Sequence, residues 1–353
     1  MKYLLLVFSA FLLLSVSSFP LKKSTPKFGI VIHGGAGTIL KKNMTPERET
    51  EIRSKLAEVL EKGHTMLSDG ADALTVVEEC IWLLEDSPLF NAGRGAVFTN
   101  AGTNELDASI MDGRTLNAGA VAGVKTLKHP ISAARAVMEK SSHVMLSGEG
   151  AEQFAKDQGL EIVDPSYFKV ERRLKQLERA KKREEQKSKN GDTGFVPGVD
   201  GYQPGEENDY KFGTVGVAVL DKDGNLAAGT STGGMTNKRW GRIGDSPVIG
   251  AGTYANNKTC AISCTGHGEF FIRYAVAHDI SALMEYKKMG VQKAADKVVQ
   301  DKLKEAGGSG GVIGIDAKGN VCMSFNSAGM YRGFYRDGDA KPWVGIFDDE
   351  SHR

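Results

Sequence analysis

The order of elements in this 353-residue chain predicts an α/β (α+β) fold built around one core. Three observations carry that reading. Short apolar runs bounded by glycine alternate with stretches whose apolar residues recur at helical spacing. A charged segment over 170–211 has too few apolar residues to contribute a core. Strand-like runs stand on both sides of it, so two half-sheets are expected to join into a single core.

Taken in order, residues 28–32 read as a buried strand that runs into the turn His33-Gly34-Gly35-Ala36-Gly37. Thr45-Pro46 offers a cap and a first-turn proline, and Ile52, Leu56, Val59, Leu60 and Leu67 follow on one helical face. Leu74, Val77, Ile81 and Leu84 mark a second helix. Strands are predicted over 106–111 and 118–124, and helices over 131–140 and 149–157. The segment over 171–189 is a mixed-charge helix, and 190–208, rich in Gly, Pro, Asp and Glu, is expected to fade into disorder. Its basic cluster, Lys181, Lys182 and Arg183, reads as a solvated face. Beyond it, 214–221 and 225–231 form a hairpin around Lys222-Asp223-Gly224. A strand over 259–265, one long helix over 270–286, a helix over 291–305 and a hairpin of 312–315 with 321–325 complete the expectation.

The net charge of +1 gives no reason to expect nucleic acid or an acidic membrane as a partner. One lysine, an apolar run over 4–16 and the small residues Ser17-Ser18 read as an export signal removed near residue 18. That run is too short for a comfortable membrane span, so no membrane contact is expected once it is removed. Export permits disulfides. However, Cys260 and Cys264 lie about 13 Å apart along one predicted strand, and Cys80 and Cys322 stand in apolar surroundings. Four buried free thiols and no zinc site are the expectation.

Two stretches match the serine-hydrolase pattern G-x-S-x-G, around Ser231 and Ser309. Neither leads into a helix as a nucleophile elbow requires, and both read as glycine-rich turns. The seven histidines show no metal-ligand spacing, and no phosphate-binding loop is present.

The stretch Gly213-Thr214-Val215-Gly216 places a threonine behind a glycine at the start of a strand, just after the polar insertion. A threonine hydroxyl is a poor nucleophile at neutral pH. If the Gly213–Thr214 bond is cut, the freed α-amine of Thr214 can act as its base. Read alone, Thr214 is better taken as an ordinary β-branched strand residue. Downstream, Thr230-Ser231-Thr232-Gly233-Gly234 brings hydroxyls to the end of the neighbouring strand. Gly241-Arg242-Ile243-Gly244-Asp245-Ser246-Pro247 sets a cation and an anion three residues apart. That loop can grip a zwitterion, Arg242 on a carboxylate and Asp245 on an ammonium, or simply hold a local ion pair. In Thr265-Gly266-His267-Gly268-Glu269 a hydroxyl and a backbone N–H can converge as an oxyanion hole, or form a turn alone.

Together with His33-Gly34-Gly35-Ala36-Gly37, Asn91-Ala92-Gly93-Arg94-Gly95 and Glu105-Leu106-Asp107-Ala108, these ordered motifs resemble the plant-type L-asparaginases/isoaspartyl peptidases. That family consists of N-terminal nucleophile hydrolases. The resemblance runs from Phe28 to Phe347 apart from the insertion. It implies a four-layer αββα sandwich cut before Thr214, giving an α chain over 19–213, a β chain over 214–353 and an (αβ)₂ assembly.

It also implies roles for particular residues. Thr214 is the nucleophile, Thr232 activates its hydroxyl, Thr265 and Gly266 form the oxyanion hole, and Asn91 approaches from the α chain. Arg242, Ile243, Gly244, Asp245, Thr265, Gly266, His267 and Gly268 line a site for an aspartyl-type small molecule or dipeptide. No cofactor enters the chemistry. A structural sodium ion is implied at the carbonyls of Leu84, Glu85, Ser87, Phe90, Ala92 and Arg94.

Three features depart from the family pattern: a longer insertion before Thr214, a histidine at the variable position 267, and Ser327-Ala328 in place of a more polar pair. A glycosylasparaginase shares the threonine and the Arg…Asp loop but typically carries His-Asp where Phe212-Gly213 stands. A serine hydrolase using Ser231 or Ser309, and an exported amino-acid-binding module with a dead site, are the readings from other classes.

Overall fold

The computed structural model describes residues 28–189 and 213–351. The expected export signal, the stretch over 190–208 and Phe212 lie outside the described residues. The first strand, β1 (Gly29–Gly37), is longer than its sequence suggests. The segment His33–Gly37, expected as a turn, continues the strand past a bulge at Gly34 and pairs Gly35, Ala36 and Gly37 with a later strand. Thr45 then caps α1 (Pro46–Ser68) by accepting from Arg48 N at 3.2 Å. Asp72 caps α2 (Ala73–Glu85) through Thr75 N at 3.0 Å. The predicted apolar face of α1 is buried throughout, as are Val77, Ile81 and Leu84 on α2.

Next come β2 (Leu106–Asp112), β3 (Ala118–Val124), α3 (Pro130–Lys140), the short β4 (Met145–Ser147), α4 (Gly148–Asp157) and α5 (Glu171–Lys189). The charged helix α5 is anchored: Arg173, Gln176 and Leu177 are buried, while Lys182 and Arg183 are exposed. After residue 213, β5 (Val215–Leu220) and β6 (Leu226–Thr232) form the expected hairpin, with Asp221 N and Asn225 O at 3.0 Å closing its turn. Then follow β7 (Thr253–Ala255) and β8 (Cys260–Gly266).

The single helix expected over 270–286 is two, α6 (Gly268–Tyr274) and α7 (Val276–Lys287). Ala275 between them is left-handed, with φ 46°. The break is tertiary in origin, because the first N–H groups of α7, at Ala277 and His278, bond to Ala251 O and Gly250 O instead of to a preceding turn. The helix over 291–305 is observed as α8 (Val291–Asp296) continued by a π-helical segment, Lys297–Leu303. The chain ends in β9 (Gly310–Asp316), β10 (Val321–Phe325), β11 (Gly329–Arg336) and β12 (Trp343–Phe347). The strands β4, β7, β11 and β12 were not expected.

The strands form two sheets, ordered β12-β11-β1-β5-β6-β2-β3-β4 and β10-β9-β8-β7. The expectation of two half-sheets split by the insertion is therefore corrected. The large sheet interleaves strands from both sides of the insertion, since β1 lies between β11 and β5. Alternation along β1 explains the stacking: Ile30 and Ile32 face α1 and α2, while Val31 faces the small sheet with Ala218, Ala228 and Ile313. A third apolar cluster lies between the small sheet and α6, α7 and α8. Each fully buried Leu or Ile in these clusters contributes about 1.5–3 kcal/mol. Between the sheets, apolar residues give way at one end to His33, Asp107, Ser109, Thr230, Thr232, Ser263 and Thr265, all buried. A polar interior between two sheets places chemistry where water is scarce. All four cysteines are buried and unpaired, as expected, and burial pushes Cys80 and Cys260 up to about 12.

Candidate active site

Thr214 precedes β5 in the center of the large sheet and is 6% exposed. Its Oγ1 lies 2.7 Å from Gly213 O and 3.2 Å from Thr232 Oγ1. Gly213 O also accepts from Thr232 Oγ1 at 2.9 Å and from Asn91 Nδ2 at 2.9 Å. The carbonyl of the Gly213–Thr214 bond thus sits among three donors, an arrangement that stabilises charge developing on that oxygen. Asn91 is itself fixed, accepting from Val97 N at 2.9 Å and donating to Gly234 O at 2.7 Å. Gly35 passes close by: a Cβ there would lie 3.1 Å from Gly213 Cα and 3.3 Å from Thr214 N, and its φ of +113° also calls for glycine.

Behind Thr214 runs a buried chain of hydroxyls that the sequence does not announce. His33 Nδ1 is 3.1 Å from Thr214 O, and its Nε2 is 2.9 Å from Ser263 Oγ. Burial lowers His33 to about 3, only partly offset by the bond to Thr214 O, so the ring is neutral. Nδ1–H then donates to Thr214 O, and Nε2 accepts from Ser263. From Ser263 the contacts continue through Thr230, Thr253 and Ser109 to Ser246 O, which adjoins Asp245.

The Arg242–Asp245 loop forms a second cluster. The two residues are not an ion pair closing a turn. Arg242 Nε and Nη2 are taken by Glu269 Oε1 and Oε2 at 2.9 and 2.8 Å, while Asp245 Oδ2 is buried without a hydrogen-bond partner. Burial raises Asp245 to about 7, with Arg242 pulling the other way. For Arg242, burial opposes the charge, but the Glu269 carboxylate outweighs it and the net shift is upward. Gly268 must be bare here, since a Cβ would meet Arg242 Nη2 and Asp245 Oδ1 at 2.9 Å each. Gly244 likewise lies under the Arg242 guanidinium, and Ile243 is partly exposed beside it. His267 is buried with Nε2 3.6 Å from Glu269 Oε2, and its N–H bonds to Ser309 O.

Thr265 Oγ1 accepts from Ala36 N at 3.3 Å, leaving its proton free to be donated. Gly266 has φ +149°, and a Cβ there would strike Gly310 Cα at 2.5 Å. Thr265 is linked to Thr214 through Ala36 and its neighbour Gly35, which lies against Gly213 and Thr214. Asp107, paired in register with Thr232, lies in the fields of Lys238 and Arg242, and its Oδ2 is also buried without a partner. The residues that motif reading left without a role are His33, Asp107, Glu269 and the carboxylate of Glu85. All four stand inside quoted motifs or the loop assigned to sodium, so a signal was present without a partner to interpret it.

Ser231 faces away from this site. Its Oγ donates to Glu85 Oε1 at 2.6 Å, and Glu85 also accepts from Ile131 N and contacts His129 Nδ1 at 3.2 Å. Burial raises the Glu85 carboxyl despite His129, and pairing with Glu85 raises His129 despite burial. Ser231 is thus committed to Glu85 and not placed as a nucleophile, while the Ser309 carbonyl accepts from His267 N. Glu85→Ala is expected to cost about 2–4 kcal/mol of stability by stranding these donors, read as a lowered denaturation midpoint. An unchanged midpoint would refute that account.

The loop that the resemblance assigns to sodium packs its glycines against neighbouring carbonyls. A Cβ at Gly93 would lie 2.4 Å from Glu85 O, and one at Gly95 would lie 1.9 Å from Phe90 O and 3.0 Å from Ser87 O. Glycine is therefore required at both positions, and the carbonyls of Glu85, Ser87 and Phe90, hard oxygen donors in kind, lie against this turn. Among the described residues no group of three His, Cys, Asp or Glu is positioned to hold a metal ion.

A family model described as Asparaginase matches residues 26–346. The isoaspartyl peptidase of Salmonella typhimurium is 51% identical over 318 residues, covering 90% of this chain and 98% of its own. The plant-type L-asparaginase of Thermococcus kodakarensis is 42% identical over 318 residues, covering 90% and 99%. The isoaspartyl peptidase/L-asparaginase of Xenopus laevis is 38% identical over 323 residues, covering 92% and 93%. With nearly the whole chain matched and its ordered motifs gathered at one end of the inter-sheet space, the chain belongs to this asparaginase family.

Proposed function

We propose that this protein is a self-cleaving threonine amidohydrolase that converts L-asparagine to L-aspartate and ammonia and removes isoaspartyl residues from dipeptides. The observation that carries the reading is the Gly213 carbonyl, which accepts from Asn91 and Thr232 while the Thr214 hydroxyl stands 2.7 Å from its oxygen. In the first act, Thr214 Oγ bonds to the Gly213 carbonyl carbon, the C–N bond breaks, and the hydroxyl proton passes to the Thr214 nitrogen. Water then adds to the resulting ester, the C–Oγ bond breaks, and Oγ regains a proton. Gly213 is left as a carboxylate and Thr214 with a free amine.

In the second act that amine takes the hydroxyl proton, and Oγ attacks the side-chain carbonyl of the substrate. Thr265 Oγ–H and Gly266 N–H receive the oxyanion. The amine's proton leaves with ammonia or the departing amino acid, and water releases aspartate from the ester. Asp245, with its unpartnered Oδ2, takes the substrate ammonium, and Arg242 exchanges part of its Glu269 pairing for the α-carboxylate. This grip reads the groups common to both substrates and leaves the departing group loosely specified.

The reading includes the four-layer αββα sandwich, supported by apolar clusters on both sides of and between the sheets. It also includes an (αβ)₂ assembly and export through residues 1–18. Carbonyls of Leu84, Glu85, Ser87, Phe90, Ala92 and Arg94 would hold a sodium ion, which braces the loop carrying Asn91. The test is intact mass after incubation, followed by assays of ammonia from L-asparagine and aspartate from an isoaspartyl dipeptide. Two chains, the second beginning Thr-Val-Gly-Val, with turnover of both substrates is the expected result. A whole chain that binds aspartate without turnover would favour a binding module instead.

A further inference from the structure

Thr214 lies just outside both ladders that flank its strand. Pairing with β1 begins at Gly216, opposite His33, and pairing with β6 begins at Val215, opposite Ser231. Asn91 and Thr232 hold the Gly213 carbonyl, which lies on the far side of the bond that the proposed cleavage breaks. Once that bond is cut, they no longer fix Thr214 through the chain. The carbonyl of Thr214 itself lies on the near side, with His33 Nδ1 3.1 Å from its oxygen. A carbonyl only accepts, so Nδ1 carries the proton and the neutral ring presents Nε2 as an acceptor. Ser263 Oγ meets Nε2 at 2.9 Å and commits its single proton there. Thr230, 2.6 Å from Ser263, must then donate to it, and Thr253 donates to Thr230 in turn. These buried hydroxyls therefore all point their protons toward His33. The other tautomer would require turning all three and would leave Nδ1 facing Thr214 O as two acceptors. Room for the pairing is built into the neighbouring strand, since a Cβ at Gly216 would strike both Ser263 Oγ and His33 Nε2.

We infer that His33 is a positioning residue for the nucleophile, a donor locked in one tautomer by Ser263 that holds Thr214 in place after the chain is cut. The inference rests on the function proposed above. Holding the Thr214 carbonyl fixes the plane of the Thr214–Val215 peptide, and so the place of the Cα that carries both the amine and Oγ. Those two groups must keep one geometry toward the substrate carbonyl, because small misplacements of reacting atoms cost rate steeply. The Arg242–Asp245 grip lies on another loop, so a loss at His33 falls on kcat and leaves KM nearly unchanged.

The hydrogen bond is read first, from imidazole ¹⁵N spectra of uncut Thr214→Ala protein, with the His33 signals assigned by their loss on substitution. Nδ1 protonated and Nε2 bare, unchanged between about pH 5 and 8, is the expected result. The opposite tautomer, or a ring that titrates in that range, overturns the proposal. The role is then read from ammonia release by His33→Asn and His33→Gln, with rates referred to cut chain counted by intact mass. An asparagine side chain can place its N–H where Nδ1 stands, whereas glutamine puts its amide at the place of Nε2. Glutamine is expected to lower kcat about 10²-fold at nearly constant KM, and asparagine less than about tenfold. A role in packing alone predicts the reverse, because asparagine is smaller and leaves the larger cavity. Equal losses, or a greater loss in asparagine, therefore overturn the proposal. Should the glutamine variant not fold or cut, Ser263→Ala takes its place. It removes the lock, and a proton appearing on Nε2 with kcat lowered about tenfold is expected; an unchanged tautomer with unchanged kcat overturns the proposal. A wild-type chain that stays whole and turns over nothing fails the functional reading and this role with it. A wild type that cuts and turns over while the variants break the expected order fails this role alone.

Discussion

Thr214→Ala is expected to remain one uncut chain and to lose L-asparagine hydrolysis by about 10⁴-fold or more, because in the proposed mechanism a single oxygen serves both acts. The geometry explains why no neighbour substitutes for it. Thr232 Oγ1 already donates to Gly213 O and accepts from Gly234 N at 3.0 Å, so it is committed to holding the carbonyl. Ser231, one residue earlier, points to the opposite face and donates to Glu85. Thr214→Ser keeps the oxygen and is expected to cut and turn over, at a reduced rate. Intact mass with N-terminal sequencing reads the first act, and ammonia release reads the second. Cutting at residue 213 in the alanine variant would remove Thr214 from the mechanism.

The second large effect is expected at Asp245. Asp245→Asn removes the charge proposed to meet the substrate ammonium in a buried setting, and kcat/KM should fall by about 10²–10³-fold. The pH dependence follows from the same burial. In the free enzyme Asp245 titrates at about 7 instead of 3.8, so kcat/KM should rise with pH and level off above that point. The Thr214 amine that the proposed cleavage would free is expected to fall in the ordinary α-amino range of about 7.7–8.0. The two separate experimentally: kcat, measured with Asp245 already paired, reports the amine, whereas kcat/KM reports both. In the asparagine variant only the amine's limb should remain. An unaltered kcat/KM profile would show that Asp245 does not bind the ammonium.

Stability should move the other way. A carboxyl whose folded pKa lies above its unfolded value makes the folded state bind more protons between about 4 and 7, so stability is lost as pH rises through that window. Asp245→Asn is therefore expected to be more stable than the wild type above pH 7, a gain made at the expense of binding. Substrate relieves the same strain by supplying the missing cation.

The helical faces of α1 and α2, the β5–β6 hairpin and β3 were legible because each depends on residues near one another in the chain. Other features were not. The run from His33 to Gly37 reads as a turn because glycine weakens strands, yet β11 pairs with it across a bulge. The helix over 270–286 has unbroken helical spacing, and the break at Ala275 comes from the carbonyls of Gly250 and Ala251. In the site, motif order pointed to Thr214, Thr232 and Arg242, but Glu269 and His33 acquire meaning only beside their partners.

The sequence by itself determined the chemistry on offer: a threonine behind a glycine, a cation and an anion three residues apart, and the apolar periodicity that buries them. Only the tertiary structure decided which groups meet. Asn91 reaches Gly213 O across 122 residues, and His33 reaches the Thr214 carbonyl across 181. Such meetings are set by which strands lie side by side and in what register. A periodicity of two along each strand says which face a side chain takes but not which strand stands opposite it.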